Sequence, residues 1–296
     1  MKKPLASDPH TGIDLHVHST ASDGTLTPTE ILEMAVQLGL KAVSITDHDT
    51  ISGSATALAD GIPRSLEFIT GIEISAAAPD GYPSGSSVHL LGYGLDLIDA
   101  SLNQLLTVLQ SSRENRNPQI IQRLSAMGMD ITMEELSPVV GDATAGRPHV
   151  AQLMVAKGLA DSIDDAFDRF LGKNKPAYVE KHRVPMIDAI AVIKSAGGVA
   201  VLAHPYLNDV ADIDNFEPFL LTLKEMGLEG IEAVYPEHPE AATARYCQLA
   251  LKHNLLITGG TDFHGAVTPG IQMGIGAGNF HVPYSFYERL MARLEQ

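Results

Sequence analysis

The stretch GIDLHVHSTASDGTLT, residues 12–27, decides the fold. Its apolar residues Ile13, Leu15 and Val17 alternate with polar ones, which is the period-two pattern of a β-strand. The same alternation places His16 and His18 on one side of that strand. Because buried polar side chains are costly unless they are paired, two adjacent imidazoles on one face of a half-buried strand require an explanation, which the other strand ends supply.

Short apolar runs of the same kind recur along the chain, with helical patterns between most of them. The runs are KAVSITDHD (41–49), LEFITGIEIS (66–75), SVHLLGYGL (87–95), GVAVLAHP (198–205), LEGIEAVYP (228–236) and LLITGGTDFH (255–264). In the first helical segment we expect Thr27 as the N-cap, Glu30 as its capping-box partner and Gly39 as the stop. The alternation predicts an α/β protein with a parallel sheet covered by helices, either open or closed into a barrel.

Residues 101–182 interrupt this alternation. A long helical pattern, SLNQLLTVLQSSRENRNPQIIQRLSAMG, is expected to break at Pro118, and the shorter helical pieces that follow include no convincing strand. We therefore predict a barrel domain formed by residues 1–100 and 183–296, with a helical insertion domain at residues 101–182.

Charge limits the classes of partner. The chain has 20 Lys and Arg residues against 36 Asp and Glu residues, a net charge of −16, which argues against a surface that coats long nucleic acid. Residues 113–183 differ from the rest because their 10 basic and 10 acidic residues balance. In this neutral segment we expect the contacts to an anionic substrate.

Three features of the sequence predict a cytoplasmic protein. No apolar run approaches the ~18 residues of a membrane helix, so no contact with a membrane is expected. The amino terminus, MKKPLASDPH, has no apolar segment after its two lysines, so no signal peptide is expected. Cys247 is the single cysteine, which excludes an intramolecular disulfide and suits a reducing compartment.

Histidines and carboxylates stand near the ends of the predicted strands. In chain order they are His16, His18, Asp23, Asp47, His48, Glu73, His89, His204, His238, Asp262 and His264. Because the carboxyl ends of strands share one face in α/β folds, we expect these side chains to converge on one pocket. Imidazoles and carboxylates without thiolates suit Zn, Mn or Fe, and more than four ligands imply more than one ion. Asp49 is instead expected to cap the helix after the second strand.

Six motifs resemble, in the same order, those of the PHP family, which is named for polymerase and histidinol phosphatase domains. They are DLHVHSTASDGTLTP, ITDHDT, GIEIS, VHLLGYG, VLAHP and GGTDFHG. The resemblance covers nearly the whole chain and is strongest to small bacterial phosphoesterases that act on nucleoside 3′,5′-bisphosphates or on RNA 5′ ends. It implies a distorted seven-stranded (β/α) barrel with a helical insertion after the fourth strand.

The resemblance also implies nine metal ligands and two or three divalent ions, with Mn, Fe or Zn as candidates. The implied sets are His16, His18, Glu73 and Asp262 for one ion, Asp23, His48 and His264 for a second with Glu73 as a candidate shared ligand, and His89 and His204, again with Glu73, for a third. Aspartate rather than histidine at position 23 favours Mn or Fe over Zn. His48, Glu73 and His264 are the candidates for a direct catalytic role.

The neutral segment supplies most of the candidate substrate-binding residues. Arg113 and Arg116 are three residues apart and share a helical face, and arginine holds phosphate with paired hydrogen bonds. Lys173 and Lys181, in GKNKPAYVEKHR, add further positive charge. The full set of candidates is Arg113, Arg116, Arg147, His149, Lys175 and, from PEHPE, His238.

The predicted reaction is hydrolysis of a phosphate ester by metal-activated water. The sequence has no nucleophile elbow, Walker A loop or dinucleotide-binding glycine motif, so no covalent intermediate is expected. The expected substrate is a small phosphorylated one, such as a nucleoside 3′,5′-bisphosphate or a short RNA 5′ end. Two alternatives stay open: an amidohydrolase-type C–N hydrolase, for which the strands offer no bridging lysine, and a non-catalytic metal-dependent binding module.

Overall fold

Strands and helices alternate along most of the chain in this computed structural model, which describes residues 12–82, 87–140, 146–207, 212–213, 215–278 and 280–296. The strands are β1 (Ile13–Val17), β2 (Ala42–Ile45), β3 (Glu67–Ala77), β4 (Ser87–Tyr93), β5 (Val184–Pro185), β6 (Val199–Leu202), β7 (Gly230–Val234) and β8 (Leu256–Gly259). The helices are α1 (Pro28–Gln37), α2 (Ser52–Asp60), α3 (Ala100–Ala126), α4 (Met133–Val140), α5 (Arg147–Ala156), α6 (Ile163–Ala166), α7 (Met186–Ser195), α8 (Phe216–Glu225), α9 (Glu240–Lys252) and α10 (Tyr284–Leu294). The predicted α/β fold is confirmed.

The sheet is a nearly closed barrel. Its strands follow the order β1-β2-β3-β4-β6-β7-β8, and the two-residue β5 pairs with β3 outside this path. Beyond β8 the chain continues beside β1 and parallel to it: the backbone N–H of His18 donates to the carbonyl of Phe263 at 2.9 Å, and that of Asp262 donates to the carbonyl of His16 at 2.9 Å. Closure of the sheet brings the ends of the first and last strands together.

One strand runs against the expected direction. β4 is antiparallel to both β3 and β6, so the prediction of a wholly parallel sheet is wrong here. Only nine residues, 78–86, separate β3 from β4, which is too short for the crossover that a parallel connection requires. Because β4 is reversed, its first residues lie beside the carboxyl end of β3, and His89 pairs with Ser75. A residue near the start of β4 thereby reaches the same end of the barrel as residues at the ends of the parallel strands.

The strand alternation read from residues 13–18 places side chains as predicted. Ile13 and Leu15 are fully buried and pack with Tyr287 and Leu290 of α10 in one core cluster. The polar residues between them face the barrel interior.

At α1, the Thr27 hydroxyl accepts from the Glu30 backbone and the Glu30 carboxylate accepts from the Thr27 backbone, so the predicted capping box is confirmed.

The helical segment after β4 is organised around α3. This helix runs unbroken through Pro118, so the break expected there is wrong. Proline removes one backbone hydrogen bond, but each half of α3 is held by a different core. Leu102, Leu106 and Leu109 pack in the barrel core, whereas Ile120 and Leu124 pack in a second cluster with residues of α5. Within the described part of 101–182, every regular element is helical.

The described residues include no helix that is both long enough and apolar enough to span a lipid bilayer. The expectation about a signal peptide concerns residues 1–11, which lie outside the described part of the chain.

Candidate metal centre

Predicted ligands from the whole length of the chain meet at one end of the barrel. Three groups of imidazole and carboxylate donor atoms form there, and within each group the atoms lie no more than 4.8 Å apart. The first group is His16, His18, Glu73 and Asp262; the second is His18, Asp23, His48 and His264; the third is His48, Glu73 and His89. His204, whose ring is the fifth imidazole in contact with Glu73, lies against the third group.

The first group has the spacing of ligands around a common ion. Asp262 Oδ1 lies 3.3 Å from His16 Nε2 and 3.0 Å from His18 Nε2, and the two Nε2 atoms are 3.1 Å apart. Glu73 Oε2 lies 3.5 Å and 3.3 Å from the same nitrogens. Ligands ~2.1 Å from one ion are roughly 3.0–3.4 Å from one another in tetrahedral or octahedral arrangements. This agreement supports the grouping that the sequence predicts.

Asp23 is the centre of the second group. Its Oδ1 lies 3.3 Å from His264 Nε2 and 3.6 Å from His18 Nδ1, and its Oδ2 lies 3.9 Å from His48 Nε2. The rings of His18 and His264 stack with centroids 4.0 Å apart. The sequence grouping of Asp23 with His48 and His264 agrees with this geometry, and His18 adjoins it from the first group.

Glu73 holds the three groups together. Its Oε2 faces the imidazoles of the first two groups and contacts His48 Nδ1 at 2.8 Å. Its Oε1 lies 2.8 Å from His89 Nδ1 and 3.0 Å from His204 Nε2, and these two nitrogens are 3.3 Å apart. The segment after β2 continues beside β3, with His48 opposite Glu73, which explains this proximity.

The site fits divalent metal ions because several buried donor atoms lack a hydrogen-bond partner. Among the described residues these atoms include Asp23 Oδ1, Glu73 Oε2, Asp262 Oδ1 and His48 Nδ1. Buried carboxylate oxygens without donors are costly, and a cation satisfies several of them at once. Burial would raise the pKa of the Glu73 carboxyl, but the adjacent His48 and His89 hold that pKa well below its usual range. Glu73 is therefore an ionised carboxylate, the form that binds metal.

Two of the ligand-bearing loops contain strained backbone, and buried carboxylates hold such loops in place. Asp262 and His204 have positive φ angles of 54° and 24°, which non-glycine residues seldom adopt. Asp47 fixes the turn before Asp23, because its carboxylate accepts from the Ser19 backbone at 2.8 Å and from the Ser22 hydroxyl at 2.6 Å. Asp47 thus serves the site without belonging to any of the three groups.

Sequence reasoning missed three residues that contact ligands or their loops. Asp14 accepts from the backbone N–H of Thr261, at 2.9 Å, and so anchors the segment that carries Asp262. The Tyr235 hydroxyl donates to Asp262 Oδ2 at 3.1 Å. Glu232, in β7, contacts the His16 ring at 3.0 Å. The sequence did contain a signal for two of them: Asp14 and Glu232 are each a carboxylate at an inward-facing position of a buried strand, where a polar side chain needs a partner.

Asp49 has a role different from the predicted one. α2 begins after Ile51, with no side-chain cap, so the expectation that Asp49 caps this helix is wrong. The Asp49 carboxylate instead accepts from Arg113, with Oδ2 at 3.1 Å from Nε and 2.5 Å from Nη2, and from the Ser75 backbone at 2.8 Å. Lys181 Nζ lies 3.3 Å from the same Oδ2. Asp49 thus ties the helical segment to the loop that carries His48.

A cationic cluster, formed by Arg113, Arg116, Arg147 and Lys181, lies beside this loop. Burial and the neighbouring charges of Arg147 and Arg113 lower the pKa of Arg116 to about 10. Burial and the charge of Arg113 lower the pKa of Lys181 to about 7. Arg116 is only 5% exposed, and its Nε and Nη1 atoms have no hydrogen-bond partner. Among the three arginines predicted to bind substrate, Arg116 is the one that is buried and has N–H donors without a hydrogen-bond partner in the described part of the chain.

The other candidate substrate residues are differently engaged. Arg147 Nη1 donates to the Leu171 carbonyl at 3.0 Å, and its guanidinium lies 5.3 Å from the Tyr178 ring centre. His149 Nδ1 accepts from the Gly146 backbone at 3.0 Å. Lys175 is exposed, and no described contact joins it to the cationic cluster.

His238 is buried in an aromatic environment. Its Nδ1–H donates to the Ala233 carbonyl at 3.0 Å, and its ring lies 5.1 Å from that of Tyr235 and 5.3 Å from that of Tyr246. The structure does not place His238 in any of the three donor groups.

Comparison with known proteins extends these observations. A family model described as PHP domain matches residues 14–137. The 3′,5′-nucleoside bisphosphate phosphatase of Chromobacterium violaceum is 30% identical over 263 residues, which cover 88% of this chain and 90% of that protein. The 5′-3′ exoribonuclease Rnm of Escherichia coli is 31% identical over 265 residues, which cover 88% of this chain and 87% of that protein.

Solved structures show the same architecture. A Bifidobacterium adolescentis protein assigned as a metal-dependent phosphoesterase is 30% identical and superposes with a TM-score of 0.85 over 96% of this chain and 97% of its own. A Chromobacterium violaceum protein described as an amidohydrolase, solved with sulfate and no metal, is also 30% identical, with a TM-score of 0.80 and the same coverage. Fold, donor groups and relatives together define a metal-dependent phosphoesterase, a hydrolase of phosphate esters. The chain belongs to the PHP family.

Proposed function

We propose that the protein hydrolyses a phosphate ester of a nucleotide, with the reacting phosphate at the metal centre and a second phosphate at the cationic cluster. The substrate is a nucleoside 3′,5′-bisphosphate or the 5′ end of a short RNA. The names of the relatives support this class of substrate. The observation that carries the proposal is Arg116, a buried guanidinium with free N–H donors. An isolated buried cation is costly, and a phosphate anion would compensate it.

The charge balance of the cluster strengthens this argument. Three arginines and Lys181 contribute positive charge, and Asp49 is the carboxylate that contacts Arg113 and Lys181. Asp49 leaves Arg116 without a direct partner. A second phosphate group would supply negative charge at that position, whereas a substrate with one phosphate would leave it unmet. This difference favours bisphosphates and phosphorylated RNA ends over simple monophosphates.

We assign the metal ligands to three ions, following the first two donor groups and the pair of histidines beside Glu73 Oε1. His16, His18, Glu73 and Asp262 would hold one ion, and Asp23, His48 and His264 a second. His89 and His204, which share Glu73 Oε1, would hold a third. When bound, such ions polarise the phosphoryl group and activate water for attack. The nitrogen and oxygen donors suit Mn, Fe or Zn.

The chain's own residues then position the substrate and move protons. His48 and His264 are partly exposed at the edge of the site and both lie beside Asp23, which makes them the candidates for proton transfer. Glu73 sets the mutual orientation of the surrounding imidazoles. Arg116 fixes the distance between the reacting phosphate and the second anion. None of the eight described strands contains a lysine, which disfavours amidohydrolase chemistry that relies on a bridging lysine supplied by a strand.

A substrate panel tests the proposal. Purified protein with added Mn²⁺ is incubated with an aryl phosphate, adenosine 3′,5′-bisphosphate, a 5′-phosphorylated RNA oligonucleotide, an amide and a lactone. We expect release of phosphate or nucleotide from the nucleotide substrates, and loss of that activity after chelation. Hydrolysis of the amide or lactone without phosphate release would support the C–N hydrolase alternative. Metal binding without turnover of any substrate would support a non-catalytic module.

A further inference from the structure

β7 crosses the barrel beside the donor groups but belongs to none of them, although all five of its residues are described. Its central residue, Glu232, is completely buried, and so are its chain neighbours Ile231 and Ala233, whose side chains point to the opposite face of the sheet. A carboxylate at such a position must be hydrogen-bonded or paired with a cation to be tolerated.

Both oxygens of Glu232 contact the metal site through its ligands. The His16 Nδ1–H donates to this carboxylate, with Nδ1 at 3.0 Å from Oε1 and 3.2 Å from Oε2. The backbone N–H of His204 donates to Oε2 at 2.8 Å. One buried carboxylate therefore holds the ring of one predicted ligand and the backbone of another.

The contact to His16 determines which ring nitrogen is free. A carboxylate beside Nδ1 stabilises a proton on that atom, and the Nε2 lone pair then points away from it. His16 Nε2 is the atom that faces His18 and Asp262 in the first donor group. The contact to His204 is made by its backbone N–H. His204 has a positive φ of 24°, an unfavourable conformation that the surrounding contacts must hold in place, and the hydrogen bond to Glu232 is one such contact.

We propose that Glu232 is a positioning residue of the metal centre: it fixes the tautomer and orientation of His16 and anchors His204, so that a ligand of the first donor group and the histidine beside the third group are aligned together. The proposal rests on the proposed function only in requiring that the donor groups bind metal. It assigns to β7 the task of orienting ligands that other strands supply.

Glu232→Gln is the decisive variant. The amide keeps one oxygen and replaces the other with an NH₂ group, which must face either His16 Nδ1–H or the His204 N–H, both donors. Loss of an outer contact to a ligating histidine typically weakens metal affinity 10- to 100-fold. The matched control is Glu229→Gln, because Glu229 is bonded to Arg293 and lies near Lys194, away from the ligands.

Affinity and stoichiometry are measured with Zn²⁺ alone, by competition with a chromophoric chelator. We expect E232Q to lose ~10- to 100-fold in affinity in at least one binding step and E229Q to match the wild type. In ¹⁵N-histidine spectra of the zinc-loaded wild type, His16 should carry its proton on Nδ1. Equal affinities of E232Q and wild type would overturn the proposal. So would a wild-type spectrum with His16 bound through Nδ1, which decides the question even if E232Q does not fold.

The two proposals fail in different ways. A wild type that binds Zn²⁺ in a Glu232-dependent manner but hydrolyses no phosphate ester would refute the proposed function and leave the role of Glu232 intact. Activity toward phosphate esters with unchanged zinc affinity in E232Q would do the reverse.

Discussion

Arg116→Met tests the second-phosphate site most directly. Methionine keeps an unbranched apolar stem and a similar helix propensity within α3, so the substitution removes the charge and the N–H donors with little loss of packing. Arg116 is buried and its Nε and Nη1 atoms have no hydrogen-bond partner, so a substrate anion that reached them would break no existing hydrogen bond of these atoms. We expect the variant to fold and to lose affinity for the second anion.

The magnitude follows from the number of donors. A hydrogen bond to a charged group contributes roughly 1.5–3 kcal/mol, and because two bonds from one guanidinium are not fully additive, we expect a total of about 2–4 kcal/mol. Arg116→Met should therefore lower kcat/KM for a nucleoside 3′,5′-bisphosphate by ~30- to 1,000-fold. An aryl monophosphate offers no second anion, and its kcat/KM should fall by less than about fivefold.

The assay compares the two substrates in steady-state kinetics at saturating metal. Arg123→Met is the matched control, because Arg123 is an exposed arginine of the same helix whose described contact is to the Tyr178 carbonyl. Equal losses on both substrates would mean that Arg116 serves the reacting phosphate or the fold. Unchanged kinetics on the bisphosphate would remove the cationic cluster from substrate binding altogether.

Three further substitutions separate the remaining roles. Glu73→Gln should lose bound metal and activity together, because Glu73 contacts five imidazoles; metal analysis that found full occupancy in an inactive variant would instead assign Glu73 to proton transfer. Asp49→Asn should lower the free energy of unfolding in urea by about 3–5 kcal/mol, because it leaves the buried Arg113 without its carboxylate, and a change below 1 kcal/mol would contradict this. Arg147→Ala should reduce kcat/KM on the bisphosphate by less than ~10-fold, because its guanidinium already contacts Leu171 and two rings; a loss as large as that of Arg116→Met would place it on the substrate.

Much of the metal centre could be predicted from the sequence because its signal is local. The period-two pattern of β1 fixes the face of His16 and His18, and strand-end positions in a barrel converge wherever the connecting segments lie. The resemblance then grouped residues that are distant in the chain. The capping box of α1 could likewise be predicted, because its partners are three residues apart.

Other features depend on long-range contacts that no local pattern specifies. The direction of β4 follows from the shortness of its connection to β3, and only this reversal explains why His89, near the start of a strand, reaches the site. Asp49 is a residue type that often caps helices and stands just before one. Its role is determined instead by Arg113 and Lys181, which lie 64 and 132 residues further along the chain. Pro118 does not end α3, since two separate cores hold the halves of the helix.

Asp49 gives the two halves of the site a physical connection. It follows His48 directly, its backbone N–H donates to the Glu73 carbonyl at 2.9 Å, and its side chain accepts from Arg113. Movement of α3 would therefore act on the loop that carries a predicted metal ligand. The carboxylate also contacts Arg113 and Lys181 but not Arg116, which retains uncompensated positive charge in a chain whose net charge is −16. An anionic substrate is thus repelled by most of the surface and attracted where its second phosphate would bind, which favours one orientation of a bisphosphate over the reverse.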